Sequence, residues 1–140
     1  MSLTIAETRD IATCLRLRRA VFIEEQAVPE ALEVDGLDEA AWHLLATWDG
    51  EPVGTARLMV TGDTGKIGRV CVLARMRGRG IGAALITASV ARFRSLSGIT
   101  RVRLGAQTHA LGFYQALGFQ GDGDEYQDAG IPHLDMVLMF

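Results

Sequence analysis

The stretch Val70-Cys71-Val72-Leu73-Ala74-Arg75-Met76-Arg77-Gly78-Arg79-Gly80-Ile81-Gly82-Ala83-Ala84-Leu85 decides how this chain is read. Val70 and Val72 are β-branched and suit a strand. Gly78, Gly80 and Gly82 follow at alternate positions. Glycine admits φ > 0 and leaves backbone N–H groups open to a ligand. A helix that starts there points its free N–H groups and positive dipole end at the turn. Arg77 and Arg79 add fixed positive charge. Strand, turn and helix together make an anion site suited to phosphate.

Working outward, the pattern predicts one mixed α/β sheet in the order β-α-β-β-β-α-β-α-β-β, with helices on both faces. Leu3 to Ala6 reads as a first strand. Thr8 or Asp10 can cap a helix to about Glu25, with Ile11, Cys14, Leu15, Val21 and Phe22 as its apolar stripe. Arg18 falls inside that stripe. Two readings are open for it: a stem that snorkels to solvent, or a charge aimed into a cleft. Val28-Pro29 ends the helix, and the acidic segment to Glu39 is loop or short helix. Trp42 to Trp48, Val53 to Val60 and Lys66 to Leu73 form an antiparallel meander, with turns at Asp49-Gly50-Glu51-Pro52 and Thr61 to Gly65. A helix from about Gly80 to Ser95 lies on the sheet through Ile81, Leu85, Ile86, Val90, Phe93 and Leu96. Ile99 to Leu104 is the next strand. Thr108 caps a short helix that ends at Gly118. The last strands are expected at Phe119 to Gly123 and His133 to Leu138.

The 140 residues suffice for one domain, residues 1–140, with a proper core. At 49% hydrophobic and 22% charged, the chain has the composition of a globular protein. Cys14 and Cys71 sit in apolar runs without metal-type spacing, and read as core thiols of a reducing compartment. No leader and no membrane-spanning run is evident, so a cytoplasmic location is expected. The net charge of −3 hides a segregation. Acids crowd the segment between Arg19 and Arg57, ten basic residues against Asp63 fill Arg57 to Arg103, and only acids follow. This pattern suggests an anionic ligand held centrally and a cationic one approached from the flanks; simple solvated faces are the alternative. For a chain that is acidic overall, nucleic acid is not an expected partner.

Three glycine-rich phosphate designs compete. The nucleotide triphosphate loop needs Gly-Lys-Ser/Thr, and Gly65-Lys66 is followed by Ile67. The dinucleotide fingerprint fits Gly78, Gly80 and Ala83, but no acid stands about 20 residues on for the ribose. The third design, Arg/Gln-x-x-Gly-x-Gly/Ala, is matched by Arg77, Gly80 and Gly82. In this motif, and in the helix Gln107 to Phe119, the chain resembles the GCN5-related N-acetyltransferase (GNAT) superfamily. Leu17-Arg18, Val21-Phe22, Glu25-Gln26, Val28-Pro29, Gly54 to Leu58 and Gly130 to His133 resemble its ElaA-like branch.

The resemblance implies acetyl-coenzyme A as co-substrate and an amine of a small molecule or protein as acceptor, with direct transfer between them. It puts the pyrophosphate on Arg77, Gly78, Arg79, Gly80, Ile81, Gly82 and Ala83. Pantetheine would lie along Val70, Cys71 and Val72, the thioester carbonyl meeting a backbone N–H near Val72. Gln107 stands where the family usually has asparagine, and Ala74 where it usually has proline. Tyr114 matches the acid that protonates the leaving sulfur; a phenol near pKa 10 is close to an alkyl thiol in acidity. Glu25 is the first candidate for the base, with Glu24, Glu33 and His133 also open and Tyr126 as a second candidate acid. His43 and His109 read as structural. No metal site is proposed. Acetyltransferases of this size often pair, which makes a homodimer an expectation. A coenzyme A-binding sensor without catalysis, or transfer of a longer acyl chain, are the alternatives.

Overall fold

The computed structural model describes residues 2–140. Its frame is one eight-stranded sheet. The strands are β1 (Leu3–Thr8), β2 (Trp42–Trp48), β3 (Glu51–Thr61), β4 (Thr64–Val72), β5 (Arg101–Gln107), β6 (Gln120–Gly121), β7 (Tyr126–Asp128) and β8 (Ile131–Met139). They lie in the order β1-β2-β3-β4-β5-β8-β6, with β7 also paired to β8. Among the described residues only β4 and β5 run parallel. The helices are α1 (Ile11–Arg18), α2 (Glu30–Glu33), α3 (Ile81–Arg94) and α4 (Leu111–Ala116).

The sheet is buried on both faces by different sequence patterns. Ile81, Leu85, Ile86 and Phe93 of α3 are all at most 1% exposed and pack over β3 and β4. Burying each such side chain contributes about 1.5–3 kcal/mol. The fit is close: a Cβ on Gly65 would come within 2.5 Å of the Phe93 ring. On the other face Leu17 and Val21 pack with Cys71, Phe22 and Leu45. Asp10 caps α1 by accepting from the Thr13 N–H at 3.2 Å.

Three local readings change. The helix expected to about Glu25 keeps α geometry only to Arg18; Arg19–Glu25 widens into a π-helical stretch, where the Gln26 N–H reaches the Val21 carbonyl at 3.0 Å. Such widened turns recur at functional sites, and here this one carries Val21, Phe22 and Glu25 to a cleft. The strand expected over Phe119 to Gly123 shrinks to Gln120–Gly121. Asp122, Asp124 and Glu125 follow, like charges that favour solvent over a sheet edge, and Gly123 takes φ +94°. Tyr126–Asp128 then adds a hairpin onto β8, where the sequence pattern predicts no strand. The Asp49-Gly50 turn and the Gly118 stop, with Phe119 2% exposed behind it, stand as expected.

Part of the acidic segment is neither solvated face nor flank but buried ion-pair network. Arg18 is 1% exposed, so it does not snorkel. Its Nε donates to Glu33 Oε1 at 2.5 Å and its Nη1 to Asp38 Oδ1 at 2.6 Å. Arg57 reaches both oxygens of Asp35 at 2.8 Å, and Asp38 Oδ1 at 3.1 Å. Arg69 closes the network on the Glu33 carbonyl at 3.0 Å and Asp35 Oδ2 at 3.2 Å. Three arginines from α1, β3 and β4 thus consume three acids of the segment. Burial lowers the pKa of Arg18 and Arg57, but their carboxylate bonds outweigh it and both stay charged. Arg57 holds the Asp35 carboxyl well below the usual carboxylate range.

Candidate active-site cleft

The sheet opens where β4 and β5 part. Their parallel pairing runs from Thr64↔Arg101 to Ile67↔Leu104 and stops. Beyond it β4 keeps β3 as a partner, but with a bulge between Thr55 and Arg57. Arg69 takes φ +51° at that bulge, a conformation rare for a side chain of its size. The β5-facing edge of Val70 to Val72 has no strand beside it. An unpaired edge of this kind accepts an extended ligand as an added strand.

A cleft of about 1110 Å³ follows this opening. Val70, Cys71 and Val72 line it, then Arg77, Gly78 and Gly80 of the turn and Ile81, Gly82 and Ala83 of α3. Gly80 caps α3 in the left-handed conformation, φ +79°, without a side-chain cap. The first helical bond runs from the Ala84 N–H to the Gly80 carbonyl at 3.0 Å. That leaves the N–H groups of Ile81, Gly82 and Ala83 without helical partners. No acid stands in that first turn, and a Cβ on Gly78 or Gly80 would meet nothing within 4 Å. The cradle is therefore open to an anion such as a pyrophosphate. Arg79 is the exception among the turn residues. Its guanidinium lies over the Trp48 ring, 5.5 Å from the centroid, and it does not line the cleft. The Cys71 side chain faces the Leu17–Val21 cluster, where burial pushes its thiol up to about 12, so that position offers backbone only.

Arg77 carries more than charge. Its Nη1 and Nη2 grip Glu25 at 2.5 and 2.6 Å, and its Nε donates to the Val72 carbonyl at 3.2 Å. These bonds hold the Glu25 carboxyl below its ordinary value. Gln107, at the end of β5, donates to Gln26 Oε1 at 3.1 Å and pairs through its own oxygen with His109 Nε2 at 2.7 Å. Tyr114 of α4 lines the cleft, set edge-on to Phe113 and Phe119 at 5.0 and 6.2 Å. Burial alone raises its pKa, so its hydroxyl is a proton donor at neutral pH.

The other half of the cleft draws on Phe22, Val28, Ile131 and His133, which lie in the segments that resemble the ElaA-like branch, and on Leu32, Glu33 and Tyr126, which no motif marks. Phe22, Val28, Leu32 and Glu33 form one wall, and Tyr126, Ile131 and His133 another. Tyr126 stacks on His133 and donates to Asp135 Oδ1 at 2.7 Å. Burial and Asp135 push the Tyr126 phenol up to about 12, which fixes it as that donor. His43 Nε2 donates within the core to the Asp38 carbonyl at 2.7 Å. Among the described residues no group of three His, Cys, Asp or Glu could hold a metal, and no helix is long and apolar enough to cross a membrane.

The chain is similar to known proteins over nearly its whole length. The family profile described as Acetyltransferase (GNAT) domain matches residues 6–140. The Bacillus subtilis protein YyaT, itself uncharacterized, is 40% identical over 136 residues, which are 95% of this chain and 91% of that one. An acyl-CoA N-acyltransferase from Pseudomonas aeruginosa is 32% identical, with a TM-score of 0.88 over 98% of this chain and 99% of that one. Escherichia coli ElaA is 29% identical, with a TM-score of 0.86 over the same shares, 98% and 99%. The chain belongs to the GNAT acetyltransferase family, on its ElaA-like branch.

Proposed function

We propose that this protein transfers the acetyl group of acetyl-coenzyme A directly to a primary amine of a small molecule or protein. The observation that carries this reading is the free β4 edge at Val70 to Val72 running straight into an uncapped helix N-terminus. An extended pantetheine arm ending in a pyrophosphate has that same sequence of needs: strand-like bonds, then anion contacts. Acetyl-coenzyme A supplies an activated acyl group, and the rest of the chemistry falls to side chains and backbone.

In this proposal the N–H groups of Ile81, Gly82 and Ala83 hold the pyrophosphate, joined by the turn Arg77 to Gly80. For Arg79 only the backbone takes part. A backbone N–H near Val72 steadies the oxygen of the thioester carbonyl as it gains charge. Tyr114 gives its proton to the departing sulfur; its raised pKa keeps that proton available. Glu25 takes the proton from the ammonium of the acceptor. Bound to Arg77 it is a weak base. A phosphate that draws Arg77 away releases it for that proton. Gln107 borders the pantetheine arm, its side chain clasped to Gln26.

Calorimetry with coenzyme A and thiol release with a panel of amines test the reading. Binding plus turnover on at least one amine is expected. Tight binding without turnover on any amine would leave a coenzyme A-binding sensor instead, and no binding would remove both.

A further inference from the structure

The β4–β5 pairing ends at Ile67↔Leu104, and the next residue on each strand is a glycine, Gly68 and Gly105. Ile67 and Leu104 are 1% and 3% exposed in the core beneath α3. Side chains alternate along a strand, so Gly68 and Gly105 face the opposite side, toward the half of the cleft without an assigned occupant. The two glycines differ. A Cβ on Gly105 would come within 2.5 Å of the Tyr126 hydroxyl, so its space is filled. A Cβ on Gly68 would meet nothing within 4 Å, and its φ is not in the left-handed range. Neither backbone conformation nor packing within the chain calls for glycine at Gly68. Glycine inside a strand weakens it, and its usual reason is close approach of a ligand or another backbone.

A second observation comes from the adjoining wall. Glu33 is 3% exposed, and its Oε2 has no hydrogen-bond partner among the described residues. Arg18 Nη2 and Arg57 Nε share that condition, but Glu33 alone of the three residues lines the cleft. A buried carboxylate oxygen without a donor is costly, and a ligand N–H is the group that would satisfy it.

We infer that Gly68 is the floor of the acceptor subsite and sets its specificity, admitting a primary ammonium on a slim aliphatic stem. This rests on the acetyl-transfer reading above. The stem crosses the bare backbone at Gly68 against the aliphatic wall of Val28 and Leu32. Its nitrogen donates to Glu33 Oε2 on the way to the parted strands. A stem branched next to the nitrogen needs the same space twice and is rejected.

The test needs no knowledge of the natural acceptor. Coenzyme A is joined through an S–CH2–CO bridge to n-butylamine, and separately to tert-butylamine, and each conjugate is titrated beside coenzyme A itself. Against wild-type protein the n-butyl conjugate binds on the order of 10-fold tighter than coenzyme A, about one logarithmic step in Kd. The tert-butyl conjugate gains nothing. In Gly68→Val the n-butyl gain disappears while the affinity for coenzyme A stays the same, because the added Cβ enters open space and Gly68 lies outside the Val70 to Val72 edge and the glycine turn. Glu33→Gln loses part of the gain; its melting temperature tells a binding loss from a folding loss, and Gly68→Val decides if it does not fold. An n-butyl gain that survives in Gly68→Val, equal gains for both conjugates, or no gain in the wild type overturns the inference. Failure of coenzyme A itself to bind the wild type is a different result, the loss of the acetyl-transfer reading.

Discussion

The two halves of the cleft are built by opposite means. The turn half is backbone: Val70 to Val72 and Gly78 to Ala83 are close in sequence, and their working parts are N–H groups and missing side chains. The half proposed for the acceptor is chiefly side chains drawn from the π-helical stretch, α2, β5, β7 and β8, set over the bare backbone of β4 at Gly68. Behind its wall stands the buried network of Arg18, Arg57 and Arg69 with Glu33, Asp35 and Asp38. A backbone site needs only local geometry, so it tolerates exposure. A charged network works in the interior only when every partner is present, so its failure is expected to be global.

That contrast gives the largest expected effect. Arg18→Ala strands Glu33 and Asp38 as buried charges without their main partner. Breaking a buried pair from one side costs about 3–5 kcal/mol. Chemical denaturation measures it, and a loss of about 1 kcal/mol or less, the range of exposed pairs, would break the comparison. The turn half should respond locally. Gly80→Val forces a branched side chain to φ +79° and sets methyls over the free N–H groups. Affinity for coenzyme A should fall about 100-fold or more, with a cost of about 1–3 kcal/mol for the strained backbone. Unchanged affinity in calorimetry would place the anion site elsewhere.

Tyr114→Phe comes next and sharpens the chemistry rather than the architecture. Only the hydroxyl is lost, and the ring keeps its edge contacts with Phe113 and Phe119. Turnover should drop about 100-fold, the lower range for a positioned acid, with coenzyme A affinity unaltered. Wild-type turnover in that variant would remove Tyr114 as the proton donor.

The same contrast explains which parts of the molecule are legible in the amino-acid sequence. The meander, α3, and the motif Arg77, Gly80 and Gly82 rest on periodicity and glycine placement, which are local signals. Gly118 and Phe119 likewise stop α4 by a local rule. Arg18 is not legible in this way: an arginine in an apolar stripe looks the same whether it snorkels or meets Glu33 and Asp38 fifteen and twenty residues away. Arg79 belongs to the motif by position, yet Trp48 from β2 takes its guanidinium. Glu25 lines the cleft, but its grip on Arg77 crosses 52 residues and leaves no local trace. For the half proposed for the acceptor the sequence holds, besides the segments Val21-Phe22, Val28-Pro29 and Gly130 to His133, a pair of glycines. Gly68 and Gly105 are isolated glycines inside strand patterns, a mark of close approach.

The smallest expected effect separates the rim of the network from its centre. Asp35 joins Arg57 through two bonds, but its side chain is 26% exposed, against 1% for Arg18. Asp35→Asn should cost about 1 kcal/mol at neutral pH, a charge-assisted pair discounted for solvent. The sign with pH follows from the depressed carboxyl. Unfolded, Asp35 titrates near its ordinary value of 3.8, whereas folded it stays ionised well below that. Between those limits the unfolded chain binds the extra proton, so stability from Asp35 is full above about pH 4 and drains as pH falls. Asp38, whose carboxyl is also lowered despite the burial that opposes it, drains in the same direction. Denaturation series from pH 6 to pH 2 should therefore show the wild type losing more stability than Asp35→Asn, the two curves converging in acid. Parallel curves would mean that Arg57 gains nothing from Asp35 that Asp38 does not already give it, and the rim of the network would be ornament on its buried centre.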